Sequence, residues 1–223
     1  SSRSIWYINV IENKIKSREK NLTILNLGAG KSIPENNPMT FVVNVDKYYF
    51  KSLHRTLDSI EFHHDVYEKQ DKAESHQSYN NLYYNGDIFE FLEKYPKKFD
   101  KIKLYRVLEH IPREKVLYLI YLMADILVDN GIVDVICPDY KKLAQMILND
   151  LPTNAKTYEQ QEVLLYTELF NEPSDPHCFI TTEERVNYMF TLENRFKLFH
   201  FNNPFLYDNR DIYFKMLFQR LPR

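Results

Sequence analysis

Glycine is scarce in this chain: four residues among 223, where the usual frequency of about 7% would give roughly sixteen. That scarcity excludes collagen-like, linker-rich and many-turned all-β designs, and each glycine present must sit where the backbone demands it. Cysteine is nearly absent. Cys137 and Cys178 lie far apart without metal-type spacing, so no disulfide framework is expected. Neither sign of charge dominates: 29 basic and 31 acidic residues leave a formal charge of −2. No field is available to gather nucleic acid or an anionic membrane, so neither partner is supported. The longest strongly apolar stretch, Val116 to Met123, contains tyrosines and falls well short of the roughly 20 residues of a membrane helix, so no membrane span is expected. The first residues carry no signal-peptide pattern, and a cytoplasmic setting is expected.

What is present suffices for a substantial core. Hydrophobic side chains make up 44% and aromatic ones 15%, and residues 1–223 are expected to form a single domain. Ile5, Trp6, Val10, Ile11 and Ile15 repeat at helical spacing, which predicts an opening helix over Ser4 to Arg18. Leu22 to Leu27 is a short apolar run stopped by Gly28-Ala29-Gly30, a buried strand entering a tight turn. Phe41 to Val45 is a second strand ending at Asp46. Residues 47–81 are polar and histidine-bearing and read as an insertion, with 150–176 as a second insertion or lid. Leu82 to Asp87, a short helix from Ile88 to Glu93, and a strand from Lys101 to Tyr105 follow. Pro112 opens a helix through Val128 that closes at Asn130-Gly131, and Gly131 to Cys137 is another strand. Helical segments at Tyr158–Phe170 and Thr182–Tyr188 precede two last strands, Phe196–Phe201 and Asp211–Leu217, joined by the turn-prone Asn202-Asn203-Pro204 and Asp208-Asn209. Strands separated by helices predict a parallel sheet in an α/β domain.

The Gly28-Ala29-Gly30 turn lets backbone approach a ligand that a side chain would block. A phosphate-binding P-loop would need glycine where Leu25 stands, so that reading fails. A dinucleotide fingerprint would want a small residue at Ile33, where isoleucine crowds the pyrophosphate. Asp46 lies eighteen residues beyond Gly28 at the end of the next strand, placed to accept both hydrogen bonds of a ribose diol, and Asp87 follows the third strand in the same manner. Each aspartate alone also reads as a helix cap.

At these residues the chain resembles the class I S-adenosylmethionine-dependent methyltransferases. The branch whose first motif reads Leu-Asn-Leu-Gly-Cys-Gly is matched by Leu25 to Gly30, its ribose acid by Asn44-Val45-Asp46, and its adenine-side position by Gly86-Asp87-Ile88. Phe99-Asp100-Lys101-Ile102, Val107-Leu108-Glu109-His110, Asn130-Gly131-Ile132, Pro138-Asp139-Tyr140 and the late His177, Phe179 and Thr181 follow in family order. The chain departs from the pattern at Lys31-Ser32 and through 47–81, where Asp65 rivals Asp87.

The resemblance implies a Rossmann-like, doubly wound α/β fold: a mostly parallel seven-stranded sheet with an antiparallel last strand and helices on both faces. It implies S-adenosyl-L-methionine as cofactor, touched by Leu27, Gly28, Ala29, Gly30, Asp46, Gly86, Asp87, Ile88 and Arg106. The acceptor would be an oxygen or nitrogen of a small molecule or sugar-type metabolite. His110 is the candidate base and His177 a second catalytic candidate, with Glu109, Asp139 and Tyr140 facing the substrate. No metal is expected, since adjacent His63 and His64 in a strand would point to opposite faces. A non-catalytic scaffold, a nucleic-acid methyltransferase and, behind them, a nicotinamide-dependent oxidoreductase are the alternatives.

Overall fold

A computed structural model describes residues 22–30, 40–47, 81–95, 99–149 and 155–223. The expected opening helix, Lys31 to Ile33, and His54, His63, His64, Asp65 and His76 lie outside the described residues. The strands are β1 (Leu22–Leu27), β2 (Thr40–Asp46), β3 (Asn81–Asn85), β4 (Phe99–Tyr105), β5 (Leu127–Pro138), β6 (Asn171–Glu172), β7 (Asp175–Pro176), β8 (Phe196–Tyr207) and β9 (Arg210–Arg220). The helices are α1 (Ile88–Lys94), α2 (Arg113–Ile126), α3 (Tyr140–Leu148), α4 (Ala155–Leu169) and α5 (Glu183–Thr191). Seven strands hydrogen-bond in the order β3-β2-β1-β4-β5-β9-β8, and β6 and β7 make a small ladder of their own. β1 pairs with β2, and β2 with β3, in parallel, whereas β8 and β9 are antiparallel.

The chain divides into two compact units: Ser1–Lys103 with Leu122–Val133 and Pro222–Arg223, and Leu104–Tyr121 with Asp134–Leu221. In the first, β1 is buried at every position after Leu22, and β2 is buried from Thr40 to Val45. Both faces of these strands are covered, which is why their sequences run apolar instead of alternating. Their buried polar members answer one another. Asn26 and Asn44 are register partners, and the Asn26 amide donates to the Asn44 side-chain oxygen at 3.0 Å. At the start of β1, the amide and hydroxyl of Thr23 both donate to Asp100 Oδ2 at 2.8 Å, tying β1 to β4.

In the second unit, Thr182 caps α5 by accepting from the Arg185 amide at 3.2 Å, which sets the pitch that buries Val186 and Phe190. Phe190 stacks on Phe218 of β9 with ring centroids 4.1 Å apart and meets Phe196 of β8 edge-on.

Two sequence expectations are corrected. The helix closes at Ile126 and β5 begins at once, although Asn130 adopts the left-handed φ of 63° that the Asn-Gly signal demands. Asn130 and Gly131 both lie inside β5, where a Cβ on Gly131 would stand 2.9 Å from the Val128 carbonyl oxygen, so the position demands glycine for close backbone approach. Asn202-Asn203-Pro204 is not a turn but part of β8, where the ladder to β9 shifts register between Asn202 and Phe205. Such an irregularity accommodates a residue without an amide hydrogen. The reversal falls to Asp208 and Asn209 alone, both left-handed at φ 52° and 57°.

Asp100→Ala should lower stability by about 1–3 kcal/mol, since it leaves the Thr23 amide and hydroxyl without their carboxylate partner. An unchanged urea midpoint would show that the β1–β4 tie contributes nothing.

Candidate functional site

Among the described residues, a polar constellation stands in each unit. In the first unit, β1 ends in a turn whose Gly28 and Gly30 both take left-handed φ values, 63° and 51°, a region L side chains rarely adopt. Ala29, itself buried, donates its amide to the Val45 carbonyl at 3.0 Å, and the Gly30 amide donates to Asp46 Oδ2 at 2.9 Å. From the other side, the Gly86 amide donates to the Asp46 carbonyl at 3.1 Å. A Cβ on Gly86 would lie 2.4 Å from the Tyr84 ring, which packs on Phe91, so that ring would have to shift. Asp87 caps α1, its Oδ1 accepting from the Phe89 amide at 2.9 Å and the Glu90 amide at 3.4 Å. Leu27 and Ile88 are buried in the core.

The second unit gathers its polar groups behind β4. Arg106 adopts a left-handed φ of 54° and donates its amide to the Ile136 carbonyl at 2.9 Å. Its guanidinium lies 5.3 Å over the Tyr213 ring and donates through Nη2 to both carboxylate oxygens of Glu168 at 3.3 Å. Glu168 is fully buried and also accepts from Arg210 at 3.3 Å and from the Tyr213 hydroxyl at 2.9 Å. Leu108–His110 forms one 3₁₀ turn, inside which the Glu109 carbonyl accepts from the amides of Cys178 at 2.6 Å and Phe179 at 3.0 Å. Thr181 anchors the same incoming segment by donating its hydroxyl to the Pro138 carbonyl at 2.7 Å.

These bonds bring His177 against His110, ring centroids 4.6 Å apart and edge to face. His110 Nδ1 lies 3.2 Å from Asp175 Oδ1. His177 Nδ1 meets the Glu168 carbonyl and the Tyr140 hydroxyl, the latter at 3.1 Å. Glu109 is wholly buried, and neither carboxylate oxygen has a hydrogen-bond partner among the described residues; the nearest cation is Arg106, with Nε 3.8 Å from Oε1. Burial pushes the Glu109 carboxyl up to about 8 against the pull of its own backbone amide and then of Arg106, and burial also lowers both imidazoles below the ordinary histidine range.

No protein-family model and no curated protein sequence matches the chain. Solved structures do match. One is a SAM-dependent methyltransferase from Methanosarcina mazei, 13% identical with a TM-score of 0.53, covering 96% of this chain and 98% of its own. The N-methyltransferase NodS from Bradyrhizobium japonicum is 11% identical with a TM-score of 0.53, covering 98% and 96%. The magnesium protoporphyrin IX methyltransferase of Synechocystis, solved with bound SAH, is 12% identical with a TM-score of 0.53, covering 96% and 81%.

The fold is that of the S-adenosylmethionine-dependent methyltransferases.

Within this methyltransferase fold, the residues expected at the cofactor fall into two groups. Leu27, Gly28, Ala29, Gly30, Asp46, Gly86, Asp87 and Ile88 are gathered at the ends of β1, β2 and β3 in the first unit. Arg106 lies in the second unit and is held by Glu168. His110, His177, Glu109 and Tyr140 come together in the second unit. Asp139 lies at the end of β5 with its carboxylate committed: Oδ1 caps α3 at the Lys141 and Lys142 amides, and Oδ2 accepts from Asn203 at 3.0 Å. Sequence reasoning missed Glu168, Asp175, Arg210 and Tyr213. Only Glu168 left a signal, a charged residue next to Leu165 and Leu169 on one helical face.

Glu168→Gln should destabilise the fold by about 2–4 kcal/mol, because it leaves two guanidinium groups without their shared carboxylate, one of them half exposed. Chemical denaturation reads this; a loss below about 1 kcal/mol would show that the arginines find water instead.

Proposed function

We propose that the chain is an S-adenosylmethionine-dependent methyltransferase acting on an oxygen or nitrogen of a small molecule or sugar-type metabolite. The observation that carries this reading is the turn after β1. Two left-handed glycines leave it bare, and among the described residues a Cβ on Gly30 would find nothing nearer than the Gly28 carbonyl at 4.0 Å. The Asp46 carboxylate stands beside that turn, an acceptor suited to the hydroxyls of a ribose. Asp46 would hold the ribose hydroxyls, while Asp87, whose cap uses Oδ1, would serve the adenine side beside Ile88.

When bound, the cofactor supplies a methyl group on a sulfonium that an in-line nucleophile can displace. The chain's own task is alignment. On the acceptor side, His110 and His177 are the catalytic residues in this reading, with Glu109 and Tyr140 beside the substrate. Arg106 and Asp139 support that arrangement through the bonds they already make to Glu168 and to α3. A small acceptor is supported by the formal charge of −2, which favours no polyanion, and by the likeness to a protoporphyrin methyltransferase and an N-methyltransferase. A non-catalytic scaffold remains the second reading, favoured by the structural use already made of Asp139.

Calorimetric titration with S-adenosylhomocysteine should show one site per chain, lost in Gly28→Val while the far-ultraviolet circular dichroism is retained. Absence of binding by the folded wild-type chain would sink the proposal. With a methyl-labelled donor and a panel of small hydroxyl and amine acceptors, His110→Ala should keep its affinity for S-adenosylhomocysteine and lose about 10²-fold in rate through misplacement of the acceptor. Binding of S-adenosylhomocysteine with no transfer to any acceptor would favour the scaffold, and a rate indifferent to His110→Ala would remove His110 from the catalytic residues.

A further inference from the structure

We propose that Glu109, His110 and His177 bind one divalent first-row transition-metal ion of the zinc type. The inference goes beyond the methyl-transfer reading and stands without it. It rests on three observations.

The first is convergence. One donor atom from each of the three residues falls within 4.8 Å of the others, and the approach is built in, because the amides of Cys178 and Phe179 lock their segment onto the Glu109 carbonyl. Ligands about 2.0–2.2 Å from a shared ion lie somewhat closer together than this, so binding draws the three side chains inward.

The second is an unmet need. A carboxyl group with no exposure and no hydrogen bond to either oxygen is costly, and an ion supplies the partner that the described residues do not. His177 repeats the pattern. Its Nδ1 faces the Glu168 carbonyl, which can only accept, so Nδ1 carries the hydrogen and Nε2 keeps its lone pair; that Nε2 is buried without a partner.

The third is the outer layer. Histidines that bind metals are oriented by a carboxylate or a backbone carbonyl on the other ring nitrogen. Asp175 stands beside His110 Nδ1 and the Glu168 carbonyl beside His177 Nδ1. Two imidazoles with one carboxylate select zinc, manganese, iron(II), cobalt or nickel over magnesium or calcium, which prefer all-oxygen shells. The opposing charge is Arg106, whose Nε stands 3.8 Å from Glu109 Oε1. Its Nη2 is directed to Glu168, and Glu109, Glu168 and Asp175 together outnumber Arg106 and Arg210 at the cluster.

The test uses the full chain, stripped with a chelator and titrated separately with zinc by calorimetry and with cobalt(II) by visible absorption. One ion per chain is expected, with cobalt d–d bands of a protein-bound ion. Glu109→Gln and His177→Gln should each weaken zinc binding at least 10- to 100-fold, and Asp175→Asn by about 10-fold, while His63→Ala with His64→Ala leaves it unchanged. No stoichiometric binding by the wild-type chain, or binding lost with His63 and His64 but kept in Glu109→Gln, would overturn the proposal and leave the Arg106 ion pair as the whole account of Glu109. If a ligand variant fails to fold, the wild-type cobalt spectrum and the thermal shift on adding zinc, compared with the His63/His64 double variant, decide. Titration with S-adenosylhomocysteine in the same preparations is a separate readout, so loss of the ion site and loss of the donor site are distinguishable.

Discussion

The organisation of the first unit depends on what the end of β2 accepts. Val45 takes a hydrogen bond from Ala29, and Asp46 takes one from Gly30 on its carboxylate and one from Gly86 on its carbonyl. Parallel strands leave their carboxyl ends without hairpin partners, so the turns that follow must find acceptors on a neighbouring strand. Here one two-residue segment serves both flanking turns. The turn after β1 thereby keeps a shape that only glycine holds without strain at φ 63° and 51°. A sheet buried on both faces makes that arrangement rigid, because a slip of β1 against β2 would break the bond between Asn26 and Asn44 and turn apolar side chains to the wrong face.

The second unit is organised around carboxylates instead of backbone turns. Glu168 is satisfied by Arg106, Arg210 and Tyr213, and it fixes the strained backbone at Arg106, from which the 3₁₀ turn departs. Glu109, three residues on, is its counterpart in burial and its opposite in satisfaction. The contrast explains why one glutamate reads as structure and the other as chemistry. A buried charge with matched partners is costly to break, whereas a buried carboxyl that lacks them carries its desolvation cost uncompensated.

Among the described residues of the first unit, much was legible because the signals are local. An apolar run stopped by Gly-Ala-Gly, an aspartate at the end of the next run, and Gly86-Asp87 before a short helix all lie within a few residues of the backbone they shape. The misplacements have local causes too. Asn130-Gly131 and Asn202-Asn203-Pro204 carry residues that suit several kinds of reversal or irregularity, and only the neighbouring strand selects among them. Glu168, Asp175, Arg210 and Tyr213 were not legible as a group, since they come from α4, β7 and β9 and share nothing in sequence spacing.

By itself the sequence determined, among the described residues, the succession from β1 to β5 with α1 and α2, the glycine turn and the aspartates that follow the strands, because periodicity and backbone permissiveness are properties of neighbouring residues. It also named Glu109, His110 and His177. Tertiary structure alone decided what those three are to one another. Whether a carboxyl is hydrated or buried, and whether two imidazoles 67 positions apart share an edge-to-face contact, depends on which distant amides close on the Glu109 carbonyl. Solvent exclusion and long-range hydrogen bonding have no counterpart in local sequence pattern.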